Sequence, residues 1–286
     1  LYERQAAHFL SSLARGSSHH LRTMKSSNLC LVLLLPAAMA MGTPAWQSGV
    51  TKDPPGNFNP LRPLHATYNF GWSGLTAATA EAHFSRPSDN HFQIEANGHT
   101  VGLARALWKY DVTFHGLSDA GTLRPIETAQ DETVRAKKVV TRLSFTPAGV
   151  NRFRVENGVA AKGKEFAFPN LFDLQSAMLY LRSQPLKDHA SYRVVVYPAT
   201  SAYLATISVS GREKIGVRAG NYNAIKMDVQ LSKVGKNLAL EPHRKFRKAT
   251  VWISDDPDRI ILRIEAQIFV GSIFAELQSV KFDLPK

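Results

Sequence analysis

The chain has 286 residues, 44% of them hydrophobic and 20% charged. That balance supports a buried core and excludes a disordered or low-complexity chain. The formal charge is +12; residues 1–40 hold Arg4, Arg15, Arg22 and Lys25 against Glu3, so about +9 remains beyond them, a surplus that attracts anionic lipid headgroups, lipopolysaccharide or acidic glycans.

Residues 1–23 are polar and irregular and begin at Leu1, as an overlong gene start would. From Met24 the pattern sharpens. Met24-Lys25 forms a short positive region, Leu29-Cys30-Leu31-Val32-Leu33-Leu34-Leu35 an apolar run, and Ala38-Met39-Ala40 offers small residues at a cleavage site. Residues 24–40 are therefore expected to be a signal peptide, cut after Ala40 or Ala45, and the protein to be periplasmic. An uncleaved anchor is the competing reading, because Leu29 to Ala45 is only just long enough to cross a bilayer and Pro36, Gly42 and Pro44 interrupt it. The single cysteine, Cys30, opens the apolar run instead of ending it, which argues against a lipoprotein and leaves the mature chain without thiol or disulfide chemistry.

Pro44, Pro54, Pro55, Gly56 and Pro60 mark residues 41–62 as an extended linker. A single β domain is expected over 63–286. Leu64, Ala66, Tyr68 and Phe70 alternate with polar residues, as do Phe92, Ile94 and Ala96, then Tyr110, Val112 and Phe114, then Val139, Thr141, Leu143 and Phe145. Ile225, Met227, Val229 and Leu231 share one face, and Ile260, Leu262, Ile264, Ala266 and Ile268 form the clearest run. Turn signals separate the runs at Pro87-Ser88-Asp89-Asn90, Pro147-Ala148-Gly149, Asn157-Gly158, Ser210-Gly211, Ala219-Gly220-Asn221 and Asp255-Asp256-Pro257-Asp258. About a dozen short strands, each with one apolar face, predict a mainly β fold: a strongly curved antiparallel sheet, half-barrel or barrel. One segment breaks the rhythm. Leu171, Leu174, Met178 and Leu181 recur at helical spacing, Asn170 or Asp173 can cap the start, and Pro185 follows Arg182. This predicts one short amphipathic helix that lays those four apolar residues against the sheet.

Three stretches taken together resemble the family known as domain of unknown function 3108, over roughly residues 61–284. They are the helix from Asn170 to Arg182 with Asp173, Ser176, Tyr180 and Arg182; the hairpin Gly211-Arg212-Glu213 with Gly220-Asn221-Tyr222-Asn223-Ala224-Ile225-Lys226; and Trp252-Ile253-Ser254-Asp255-Asp256. The resemblance implies an exported, β-rich protein and carries over no catalytic residue. In one respect the chain departs from the family pattern: Arg259-Ile260-Ile261 stands where a proline-valine step is common, so the entry into the final strands is expected to differ.

Catalytic and cofactor motifs are absent: no G-x-S-x-G, His-Glu-x-x-His, phosphate loop or dinucleotide fingerprint occurs. No cofactor is expected. His83, His91 and His99 are evenly spaced, but Pro87-Ser88-Asp89-Asn90 interrupts them, so no metal site is expected there. Asp255, Asp256 and Asp258 read as turn-capping residues, with calcium binding or acid–base work as the alternatives. His243-Arg244-Lys245-Phe246-Arg247-Lys248 is the densest basic patch and a candidate for anionic lipid or glycan; nucleic acid is not an expected partner of an exported chain. Three functions follow in outline: a non-catalytic envelope protein that binds or scaffolds an apolar or anionic molecule, with peripheral membrane contact; a glycan hydrolase built from dispersed carboxylates such as Glu127, Asp131 and Asp255; and a structural partner in an envelope assembly.

N-terminal sequencing of the exported protein should begin at Met41 or Trp46. A soluble cytosolic protein that retains Leu29–Leu35 would overturn the export reading.

Overall fold

A computed structural model describes residues 44–242, 248–268 and 271–284. The segments 1–23 and 24–40 and residues 243–247 of the basic patch fall outside the described residues. The chain divides into two compact units, Leu1–Ser48 and Gly49–Lys286. The second unit contains one sheet of 16 strands.

Its strands run β1 (Leu64–Trp72), β2 (Leu75–Ser88), β3 (His91–Thr100), β4 (Tyr110–Asp119), β5 (Pro125–Val134), β6 (Lys137–Thr146), β7 (Gly149–Glu156), β8 (Val159–Ala160) and β9 (Lys164–Ala167). They continue with β10 (Ser191–Val196), β11 (Ala202–Val217), β12 (Gly220–Val234), β13 (Leu240–Pro242), β14 (Lys248–Ser254), β15 (Ile261–Gln267) and β16 (Ser272–Phe282). The spatial order is β10-β11-β12-β14-β15-β16-β1-β2-β3-β4-β5-β6-β7-β8, with β13 beside β12 and β9 beside β7. Neighbouring strands are antiparallel throughout, and most consecutive strands connect by short turns. Alternation sends Phe84, Phe92, Leu143, Val150 and Leu277 inward, while Glu95, Asn97, His99 and Lys138 face water. The mainly β, strongly curved architecture expected from the alternation is the one observed.

The sheet does not close by strand pairing among the described residues. A connecting segment spans the gap instead. β9 pairs with β7, and five residues after it Phe172 forms a parallel bridge with Val196 of β10. Phe166 packs on Tyr197 with ring centroids 5.8 Å apart, and the Arg152 guanidinium donates to Thr200 O (3.2 Å). The free edge of β10 is covered further along, where Thr51 exchanges hydrogen bonds with Arg193. Covered edges remove the template for pairing with other chains.

Ser210-Gly211, expected as a turn, lies inside β11. The register with β12 slips between Val209 and Gly211, and Gly211 has φ 145°. A bulge with a glycine there bends the long β11–β12 hairpin. Beyond the bend Ile215, Val217, Ala219 and Tyr222 pack into the core with Leu64, Phe84 and Leu277, and Ala219 N donates to Leu277 O (3.4 Å). A second helix also forms, which the alternation had concealed: α1 (Gly102–Leu107), between β3 and β4.

The foreseen helix, α2 (Leu174–Ser183), packs between two parts of the sheet. Leu179 joins the core of β1–β3, β15 and β16. Ala177, Tyr180 and Leu181 join the core of β10–β12 and β14. The expected stripe is correct for Leu171 and Leu181 and wrong for Leu174, which is 61% exposed, while Met178 is only partly buried. A helix walled in on two sides buries a broad face, and Leu174 with Met178, one turn apart, form its open edge. Leu179→Ala and Leu181→Ala should each lower stability by about 2–5 kcal/mol in urea melts, and Leu174→Ala by less than about 0.5 kcal/mol.

Candidate functional site

The motif residues gather around α2 and serve the backbone. Asp173 caps the helix: Ser176 N donates to Asp173 Oδ1 (2.6 Å) and Asp173 N donates to Ser176 Oγ (3.0 Å), a reciprocal capping box. Both side chains are buried. Burial pushes the Asp173 carboxyl above the usual aspartate range, against the hydrogen bonds from Ser176, and its Oδ2 is buried without a hydrogen-bond partner. The Tyr180 hydroxyl donates to Asp53 O (3.1 Å), and burial pushes it up to about 12.

Arg182 donates to Pro257 O and Asp258 O at 3.0 Å each, and also to Asn59 O. Burial, with Arg259 close by, lowers its guanidinium to about 10. Arg259 donates to Arg182 O and Gln184 O and lies 3.3 Å over the Phe58 ring. Two neighbouring cations are tolerated because helix-terminal and turn carbonyls surround them. Residues 53–59, expected to be a linker, run here as a strap: Gly56 N donates to Ser183 Oγ (2.9 Å), and a Cβ on Gly56 would lie 2.1 Å from Ser183 O.

Of the three aspartates read as turn caps, Asp256 is the one whose carboxylate accepts from the turn's amides. Asp256 Oδ1 accepts from Ser254 Oγ (2.8 Å), Asp258 N (2.9 Å) and Arg259 N (3.0 Å). Asp255 pairs with Arg212 (3.0 Å), and Asp258 accepts both arms of Arg62. Gly220, φ 141°, begins β12 at the far end of the hairpin. Trp252 Nε1 donates to Glu213 (2.6 Å), whose carboxyl this bond holds below its usual range. Apart from Asp173 Oδ2, the polar side-chain atoms named here have hydrogen-bond or ion-pair partners within the fold.

Of the basic patch, His243, Arg244, Lys245 and Arg247 lie outside the described residues. Lys248 opens β14 and pairs with Asp228 (2.9 Å). The dispersed carboxylates do not converge. Glu127 and Asp131 are four residues apart on one face of β5, about 13 Å at the usual strand rise, too far for the roughly 5–9.5 Å of a hydrolase pair. Asp255 sits beyond β14. A solvent-open recess of about 500 Å³ crosses β3–β6, lined by Asn97, His99, Asp111, Thr113, Asp131 and Lys138 among others. Both of its aspartates are engaged, Asp111 by Arg105 (2.8 Å) and Asp131 by Arg142 (2.5 Å), and the Arg105 hydrogen bond holds the Asp111 carboxyl below its usual range. His91 and His99 stay apart on β3. Inside the curl, Tyr110 donates to Glu132 (2.9 Å), and Arg154 to Thr141 (3.2 Å).

The exposed apolar residues point elsewhere. α1 buries none of its residues; Leu103 is 84% exposed and Leu107 64%. Val101 N donates to Ala77 O (2.9 Å), which sets α1 beside the start of β2, where Leu75 is 68% exposed. Cations border these leucines. Arg105 lies on α1, Lys109 follows it, and Arg135 stacks 4.5 Å over the Trp108 ring and donates to Leu107 O (3.4 Å). Two leucines four residues apart in Gly102-Leu103-Ala104-Arg105-Ala106-Leu107 are the only sequence signal for this surface, and a six-residue helix is too short to stand out from β alternation.

An open, curved sheet with a helix packed between two parts of it defines a barrel-like β protein. It is similar in fold to the crystal structure of a β-barrel-like protein of domain of unknown function DUF1849 from Brucella abortus, with a TM-score of 0.55 at 10% identity over 79% of this chain and all of that one. More distant structures include a candidate lipoprotein from Parabacteroides distasonis (TM-score 0.34, 10% identity, 80% of this chain and all of that one). Another is a candidate exported protein with a YmcC-like fold from Bacteroides fragilis (TM-score 0.31, 9% identity, 79% of this chain and 99% of that one). No curated protein sequence matches the chain. The family described as protein of unknown function (DUF3108) matches residues 67–278, and the chain belongs to it.

The cap gives a prediction with a definite sign. A raised folded-state pKa means that Asp173 contributes stability below the ordinary aspartate range and loses that contribution as pH rises through the raised value. Asp173→Asn keeps the cap acceptor and removes the charge, so it should gain on wild type between about pH 4 and pH 7. Asp173→Ala should cost about 1 kcal/mol at pH 4. Urea midpoints at both pH values check this. An Asn variant that falls behind wild type as pH rises would show an ionised, stabilising carboxylate.

Proposed function

We propose that this is an exported, non-catalytic envelope protein that contacts an anionic amphiphile layer through its α1 surface. Export rests on the segment 24–40, whose charge, apolar run and small-residue end have the form of a cleaved leader. The contact reading rests on one observation: Leu103 and Leu107, on a helix that buries none of its residues, are exposed with Leu75 beside Lys109 and Arg135. Among the described residues no helix is long and apolar enough to cross a membrane. An exposed leucine that enters an acyl layer contributes roughly 1.5–3 kcal/mol, and a cation at an anionic surface about 1 kcal/mol. Leucines set among cations thus fit anionic headgroups above acyl chains. The enclosing alternative has less support, because α2 contributes side chains to both core clusters and so occupies part of the inner face.

Sedimentation with vesicles tests the contact. Binding to phosphatidylglycerol-containing vesicles, weak binding to phosphatidylcholine alone, and release by salt are expected. Leu103→Ser with Leu107→Ser should weaken the binding by roughly tenfold or more. A wild-type protein that ignores anionic vesicles would refute the lipid reading and favour a protein partner for the same leucines. Unchanged binding by the double variant would remove α1 from the contact.

A further inference from the structure

His65 on β1 and His83 on β2 are direct partners in the antiparallel ladder. Their rings lie parallel, with centroids 3.9 Å apart and planes within 4°. In this arrangement both Nε2 atoms address one carboxylate, that of Asp283. His65 Nε2 is 3.5 Å from Asp283 Oδ1, and His83 Nε2 is 3.3 Å from Asp283 Oδ2. The three donor groups lie within 4.8 Å of one another. Asp283 follows β16 and is fixed by its own backbone, since Asp283 N donates to Pro63 O (3.0 Å).

Both contacts lie within ion-pair range, and the shorter is also a long hydrogen bond. Charge-assisted hydrogen bonds run at about 2.7–2.9 Å, and both contacts here are longer. Both separations are close to the spacing of donors around an ion, and rotation of the stacked rings would turn both Nε2 lone pairs onto a common point beside the carboxylate. Ligands at about 2.0–2.1 Å in a tetrahedron stand about 3.3 Å apart. Two imidazoles and one carboxylate suit zinc, nickel and related ions, whereas calcium and magnesium prefer all-oxygen shells. We propose that His65, His83 and Asp283 form a surface site for a divalent first-row transition metal ion, with two imidazole Nε2 ligands and one carboxylate. Each imidazole then carries its proton on Nδ1. The side chains are 59%, 33% and 35% exposed, so the ion has a path in and coordination positions remain for water or a further ligand. Glu95 stands opposite His83 on β3 and Lys281 opposite His65 on β16, so one acid and one base border the site. The cluster is independent of the α1 surface and of the motif residues.

Titration calorimetry with zinc chloride and with nickel chloride, on the full chain without an affinity tag, tests the site. The parent chain should take up one equivalent that His65→Ala, His83→Ala and Asp283→Asn each lose or weaken by roughly tenfold or more. His99→Ala, which replaces an exposed histidine outside the cluster, should change nothing. All four substitutions are at the surface, and unchanged circular dichroism confirms that each variant is folded. The proposal is overturned if the parent takes up neither metal, or if the three cluster variants match the parent in stoichiometry and affinity.

Discussion

A long antiparallel sheet that curls on itself must cover its inner face, and here α2 covers part of it. Without it Leu179 would leave Leu64, Phe84 and Leu277 facing a void, and Tyr180 and Leu181 would leave Val194, Ile225 and Ile253 equally bare. A void of that kind forfeits both the transfer of apolar surface from water and the contacts across it. Burying a helix raises a second problem, because its terminal N–H and C=O groups lose water. The Asp173–Ser176 capping box serves the first turn. Arg259 serves the last, reaching Arg182 O and Gln184 O, and Arg182 reaches outward to the strap and the aspartate turn. Most of the motif chemistry follows from placing one polar-ended helix in an apolar curl.

Much of this was legible because β alternation and helical spacing are local. The runs at Leu64–Phe70, Phe92–Ala96 and Val139–Phe145 gave strands, and Asn170–Arg182 gave the helix. The reading of Leu174 failed for a non-local reason. A hydrophobic stripe is drawn for a helix with one covered side, whereas α2 has sheet on two, so Gln175, Ser176 and Leu179 are buried as well. Ser210-Gly211 failed similarly. A serine-glycine pair marks a break in backbone geometry, and sequence alone does not say whether the chain reverses there or only bends.

The histidines show the limit of spacing as evidence. His83, His91 and His99 invite comparison because they are near in sequence and evenly set, and the turn at Asp89-Asn90 separates them. The partners that His83 meets are His65, its neighbour across a two-stranded ladder, and Asp283, two hundred residues further on. Only the topology that brings β16 alongside β1 makes that meeting.

The positions that identify the family differ in kind from those that offer chemistry to a partner. Asp173, Ser176, Tyr180, Arg182, Ser254 and Asp256 direct their hydrogen bonds to backbone atoms or to one another, so an anion or glycan that reached them would have to displace contacts that hold α2 and the strap in place. Such a replacement leaves buried carbonyls and amides unpaired, at roughly 1–3 kcal/mol each. The groups proposed above to meet a partner, the leucines of α1 and the His65–His83–Asp283 cluster, are ones whose loss costs the fold little. The motif therefore marks the scaffold, and both proposed contacts lie outside it.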